Sequence, residues 1–168
     1  LEQGVDDLQW ITGINYWGVV YGCKFFLPHL LEQDEAHIVN ISSSAGFTGM
    51  KWQSSYGATK FAVTGLSESL FVELAGTNVG ISCVHPGAVA TSILDSARMA
   101  TDRREKMLKT FKYATPPDAA ARKICRSIEK KRFKVVLCVD SHVLYALKRV
   151  APVGLLQLMR LANARSSA

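Results

Sequence analysis

Ala36-His37-Ile38-Val39-Asn40-Ile41-Ser42-Ser43-Ser44-Ala45-Gly46 joins a short β-branched run to a string of small residues. Ile and Val at this density over so short a span predict a buried strand. The small residues after it suit a tight turn or a pocket wall at the strand's end. Two further stretches repeat the pattern. Gly80-Ile81-Ser82-Cys83-Val84-His85 is broken by Pro86-Gly87, and Phe133 to Val139 carries Val-Val-Leu-Cys-Val at its centre.

Helical patterns fill the intervals. Over residues 5–33, Leu8, Ile11, Ile14 and Asn15 recur at three-to-four spacing, followed by Val19, Gly22, Cys23, Phe26 and Leu30. Gly13, Gly18 and Gly22 each cost about 1 kcal/mol relative to Ala in a helix, which predicts close approach of a neighbouring element. Pro28 predicts a kink or an early end. A second helix is predicted over 54–76, with Gly76 and Asn78 as its stop. Pro116-Pro117-Asp118 opens a third, running through Lys131. Residues 92–113, rich in Met, Lys and Arg, read as a mobile lid with a short helix, and Ser141 to Arg165 as a helical tail interrupted at Pro152 and Gly154. Helices alternating with buried strands predict a parallel α/β sheet.

The 168 residues suffice for one domain with a real core, and 48% apolar against 20% charged is an ordinary globular balance. No run of eighteen apolar residues and no basic-then-apolar leader occurs in them. Cys23, Cys83, Cys125 and Cys138 are scattered, as are His29, His37, His85 and His142; neither set has metal-ligand spacing. Unpaired, buried cysteines suit a reducing compartment, and a cytoplasmic location is expected. The net charge of +6 hides an asymmetry of −6 through Asp95 and +12 from Arg98 onward. No nucleic-acid motif accompanies it, so a solvated helix face is expected and nucleic acid is not.

Chemistry enters with Tyr56-Gly57-Ala58-Thr59-Lys60. Positions i and i+4 share a helix face, so phenol and amine point the same way. A phenol titrates near 10, and a cation held nearby moves that value toward the working range. Ser43 precedes Tyr56 by 13 residues, at the carboxyl end of the first strand, where ligands sit in open parallel sheets. Asn15 lies mid-helix, a locally unfavourable place that asks for a reason. Pro86-Gly87-Ala88-Val89-Ala90-Thr91 offers a tight turn with exposed backbone groups and a hydroxyl at the same edge.

These four elements resemble, in order and spacing, the motifs of the short-chain dehydrogenase/reductase family. The likeness covers about residues 5–140 and rests on Asn15 in Ile14-Asn15-Tyr16-Trp17-Gly18, Ser43 in Asn40-Ile41-Ser42-Ser43, Tyr56 to Lys60, and Pro86-Gly87-x-Val89-x-Thr91. The resemblance implies a Rossmann-type doubly wound sheet and an enzyme using NAD or NADP to interconvert an alcohol and a carbonyl. It implies that Tyr56 is the general acid/base. Lys60 lowers the Tyr56 pKa and bonds the nicotinamide ribose, and Ser43 holds the substrate oxygen. Asn15 holds a water, and Val89 and Thr91 in the Pro86–Gly87 turn fix the carboxamide. It also implies a homodimer or tetramer paired through helices 5–33 and 54–76.

Family members begin with a strand and a Thr-Gly-x-x-x-Gly-x-Gly turn for the pyrophosphate, and then an Asn-Asn-Ala-Gly segment; these residues contain neither. Thr64-Gly65-Leu66 is mid-helix and cannot substitute. The expectation is the C-terminal two-thirds of a family member with an incomplete sheet, either as part of a longer enzyme or as a truncated paralogue serving as an interaction module. Residues 1–140 form its catalytic half, and 141–168 its tail. Apolar stripes through Val143, Leu147 and Val150 alternate with Lys148, Arg149 and Arg160. They suit a membrane surface, a cap over a lipophilic substrate, or packing against a partner or the lid.

Overall fold

The computed structural model describes residues 3–95, 100–111 and 114–165. Three parallel strands, β1 (Ala36–Ile41), β2 (Val79–His85) and β3 (Lys134–Val136), lie in the order β1-β2-β3. Each crossover is helical, as parallel pairing requires. The first stretch is α1 (Val5–Thr12) and α2 (Gly18–Leu31), joined by a π-helical turn at Gly13–Trp17. Helix α3 (Ser54–Glu73) connects β1 to β2, and α4 (Thr101–Phe111) and α5 (Pro117–Glu129) connect β2 to β3. The chain then runs through α6 (Val139–Val150) and α7 (Pro152–Arg165).

Alternation along the strands builds two cores. Ile38, Val79 and Ile81 pack with Cys23 of α2 and with Leu70 and Leu74 of α3. Val84 and Val135 face the other way, against Ala120 and Ile124 of α5. Helices therefore cover both faces, as a doubly wound sheet demands. Asn78 ties the layers by donating to the Leu30 carbonyl at 2.9 Å. The edge of β1 away from β2 borders a groove of about 430 Å³ lined by Ile14, Asn15, Val19, Phe26, Ile41 and Lys60 among others.

Several boundaries differ from expectation. Helix α2 runs through Pro28 to Leu31, two residues short of the expected 33. Strand β3 stops at Val136, not Val139: only Lys134, Val135 and Val136 have partners in β2, while Leu137 and Cys138 are apolar because they are buried in the turn to α6. The tail breaks at Ala151 (φ −137°, ψ 71°), Pro152 opens α7, and Gly154 lies inside that helix. In the stretch expected as a lid, a 3-10 turn at Ser92–Leu94 precedes α4; residues 96–99 and 112–113 of that stretch lie outside the described residues. Helix α3 ends at Glu73 with Leu74 as its C-cap, three residues short of the expected 76, and Gly76 lies in the turn beyond it at φ 85°.

Candidate active site

β1 delivers Ser43 to the carboxyl edge of the sheet. There the backbone is extended (φ −167°, ψ 167°) and caps a 3-10 turn over Ser44–Gly46, with Ser43 Oγ accepting from Ala45 N–H at 3.1 Å. Ser44 N–H donates to the Pro86 carbonyl at 2.8 Å, tying this turn to the end of β2. The Ser43 side chain also draws the Tyr56 phenol downward, against the larger effect of burial. With Ala45 N–H occupying one lone pair, the Ser43 hydroxyl proton is left to donate.

Tyr56 and Lys60 lie in the first two turns of α3, and the Lys60 amine stands 5.8 Å from the Tyr56 ring centre. Lys60 Nζ donates to the Ile41 carbonyl at 3.0 Å, at the end of β1. Burial pushes the Tyr56 phenol above its ordinary 10.0, partly offset by the Ser43 side chain, and holds the Lys60 amine below its ordinary 10.5. This reverses the expected depression of Tyr56 by Lys60. The amine is committed to a backbone carbonyl, and loss of hydration is the largest influence on both groups.

Asn15 occupies the π-helical turn, and its amide donates to Thr59 Oγ1 at 3.2 Å. Single π turns widen a helix at one residue and recur at functional sites. At β2's end, Thr115 N–H donates to Ala88 O at 2.9 Å and Ala90 N–H to Thr115 O at 3.0 Å. That bridge leaves Val89 N–H outside it, while the exposed Thr91 hydroxyl lies just beyond. Asn15, Tyr56 and Lys60 thus gather around the start of α3, and Ser43, whose side chain draws the Tyr56 phenol down, is joined to the Pro86–Thr91 turn through Ser44.

A family model described as short chain dehydrogenase matches residues 2–102. The chain belongs to that family. It is 35% identical over 150 residues to SadH of Mycobacterium tuberculosis, which carries an oxidoreductase name, covering 86% of this chain and 54% of that protein. It is 29% identical over 148 residues to a Drosophila melanogaster dehydrogenase/reductase SDR family protein 7-like, covering 87% of this chain and 45% of that one. A short-chain dehydrogenase/reductase of Burkholderia phymatum, solved in complex with NAD, superposes with a TM-score of 0.80 at 28% identity, over 88% of this chain and 59% of that one. The chain thus spans about half the length of these curated relatives, with the family's Rossmann-type α/β fold.

Sequence reasoning missed three supports of this short-chain dehydrogenase site. Ser42, in the small-residue string after β1, is buried and donates to the Lys60 carbonyl at 2.9 Å, with Thr64 Oγ1 also 2.9 Å away. Gly46 is pressed against that pair, since a Cβ there would meet Ser42 Oγ, the Lys60 carbonyl at 2.8 Å and Thr64 Oγ1 at 2.9 Å. The N-terminus of α6 closes on the Pro86–Gly87 turn, where a Cβ on Gly87 would meet Ser141 Oγ at 2.5 Å and the Asp140 carboxylate at 2.7 Å. The only sequence signal for these was the density of small residues.

Proposed function

We propose that this chain carries the proton-transfer half of an oxidoreductase that interconverts an alcohol and a ketone or aldehyde with NAD or NADP. The observation that carries the reading is the convergence of Ser43, at the carboxyl edge of β1, on the first turns of α3, where its side chain draws the Tyr56 phenol down and the Lys60 amine stands 5.8 Å from the Tyr56 ring centre. Tyr56 Oη gives a proton to the substrate oxygen in reduction and takes one in oxidation. Ser43 Oγ–H donates to that same oxygen as negative charge develops on it. A phenol held above its ordinary value is protonated at neutral pH and has a proton to give to a substrate oxygen.

The residues present suit the nicotinamide end of a dinucleotide. Among the described residues Val89 N–H and the Thr91 hydroxyl have no hydrogen-bond partner, which suits them to a carboxamide beside the Pro86–Gly87 turn. The Lys60 amine is placed for ribose hydroxyls, and Asn15 for a water between Lys60 and solvent. When bound, the dinucleotide supplies or accepts the hydride. Met50, after the Ser44–Gly46 turn, suits a lipophilic carbonyl substrate, with the described residues 92–95 and 100–111 as part of its lid. The test is turnover of the full protein with NAD or NADP and a panel of hydrophobic ketones. Tyr56→Phe is expected to lower kcat by about 10²–10⁴-fold. Wild-type turnover in that variant would overturn the assignment.

A second reading, a non-catalytic interaction module, is favoured by the amount of apolar surface left exposed. Trp17 stacks on Tyr21 at 5.6 Å and Tyr21 meets Phe25 at 6.1 Å, forming an exposed aromatic ladder on the α1–α2 stretch; Phe61, Phe71 and Val72 are exposed on α3. These faces suit a second copy of the chain. Val139, Val143, Leu147 and Val150 form an exposed stripe on α6 beside Lys148 and Arg149, which suits an anionic membrane surface. Dinucleotide titration of the 168-residue chain separates the readings. Micromolar binding ends the module reading, whereas a concentration-dependent mass without dinucleotide binding supports it.

A further inference from the structure

His85 ends β2 and is wholly buried, yet its ring reaches across to the neighbouring strand. Its Nδ1 lies 3.0 Å from the Ser43 carbonyl oxygen. A carbonyl only accepts, so the proton of the neutral ring is on Nδ1. Nε2 is then a bare lone pair, and Cys83 Sγ stands 3.4 Å from it, close enough for the thiol to donate. Burial raises the Cys83 thiol and lowers the His85 imidazole, so both remain in the neutral forms this arrangement needs. Phe47 packs on the ring at 5.4 Å and is met edge-on by Tyr145 of α6, also at 5.4 Å.

Ser43 is consequently gripped at four points. His85 and, at 2.9 Å, Gly46 N–H both hold its carbonyl, Ala45 N–H holds its hydroxyl, and Pro86 O the amide of Ser44. The first is the only one of the four made by another residue's side chain. It therefore depends on what occupies position 85, while the other three follow from the backbone of the turn.

We propose that His85 is a positioning residue: as its Nδ1–H tautomer, with the Cys83 thiol on Nε2, it braces the Ser43 carbonyl and so keeps the Ser43 hydroxyl beside Tyr56. The contact itself is independent of any reaction, while its effect on turnover rests on the oxidoreductase reading above. Asn presents an amide N–H near the position of imidazole Nδ1, so His85→Asn keeps the donor. His85→Phe keeps the ring and loses it.

The test combines imidazole ¹⁵N NMR of the protein, titration of the Tyr56 phenol by ¹³C NMR, and steady-state kinetics. The Nδ1–H tautomer is expected at neutral pH in the wild type, and it persists in Cys83→Ala because the Ser43 carbonyl still requires the proton on Nδ1. His85→Phe is expected to raise the Tyr56 titration further and to lower kcat by about 10- to 100-fold with KM little changed. His85→Asn is expected to stay within about threefold of wild type, a loss smaller than one ordinary hydrogen bond. An Nε2–H tautomer in the wild type overturns the proposal, whether or not His85→Phe folds. So does an unmoved Tyr56 titration in folded His85→Phe. The NMR arms need no substrate and fail separately from the oxidoreductase reading, which falls if Tyr56→Phe retains turnover.

Discussion

Asn15 donates its side-chain amide to Thr59 Oγ1 at 3.2 Å, and Thr59 Oγ1 donates in turn to the Tyr56 carbonyl at 2.7 Å. One polar residue in a π-helical turn thereby steadies the helical turn that carries both Tyr56 and Lys60. Losing a part-buried hydrogen bond of this kind costs about 1 kcal/mol. Asn15→Leu is expected to lower stability by about that amount in urea unfolding. In a double-mutant cycle with Thr59→Val, the coupling should also be about 1 kcal/mol, and purely additive losses would show that the bond contributes nothing.

Gly46 and Gly87 are tight for different reasons, and their Ala variants should separate. At Gly46 the added methyl meets the Lys60 backbone carbonyl at 2.8 Å, which cannot turn aside, besides two buried hydroxyls. Gly46→Ala is expected to cost about 1–3 kcal/mol, as overpacking does. At Gly87 the obstacles are the ends of the Asp140 and Ser141 side chains. Gly87→Ala should cost less, and Ser141→Ala should recover part of the loss. Equal losses in thermal melts would contradict this ordering.

Acid should weaken the fold through its histidines. Burial holds both His85 and His37 below the ordinary imidazole value of 6.5, so the folded state binds their protons less readily than the unfolded chain does. The stability they contribute is fully present above pH 6.5 and is lost as the pH falls through and below it. Melting temperatures should drop from pH 7 to pH 5, and less steeply in His85→Asn. An unchanged slope in that variant would exclude His85 as a source.

Tyr21 sits at the centre of the exposed aromatic ladder. If that face pairs two copies, Tyr21→Glu places a charge in an apolar interface and should shift sedimentation to the single-chain mass at micromolar protein. The same oligomer distribution in wild type and variant would exclude the face.

Flotation with anionic vesicles tests the α6 stripe. Val143→Glu together with Leu147→Glu, both exposed positions, should abolish any vesicle binding while leaving the melting temperature within a few degrees. Equal partitioning of wild type and variant would end the membrane reading.

Much of this was legible in the sequence. Strand and helix periods identify an α/β chain because burial alternates with known spacing, and Ser43, Tyr56, Lys60 and Pro86–Thr91 are placed at one edge by the direction of the strands alone. Tyr56 and Lys60 were findable as a pair because i and i+4 share a helix face.

What the tertiary structure decided lies between elements. That Asn15 bonds Thr59, that Ser42 braces Lys60, that His85 grips Ser43, and that α6 closes on Gly87 are contacts across 44, 18, 42 and about fifty positions of chain. Local periodicity carries no information over such separations. The protonation of the central pair was decided in the same way. Sequence spacing predicts a phenol drawn downward by a neighbouring amine, but the fold buries the phenol and commits the amine to Ile41 O. Desolvation depends on everything packed around a group, so its sign at Tyr56 follows from the folded chain and not from the four-residue interval.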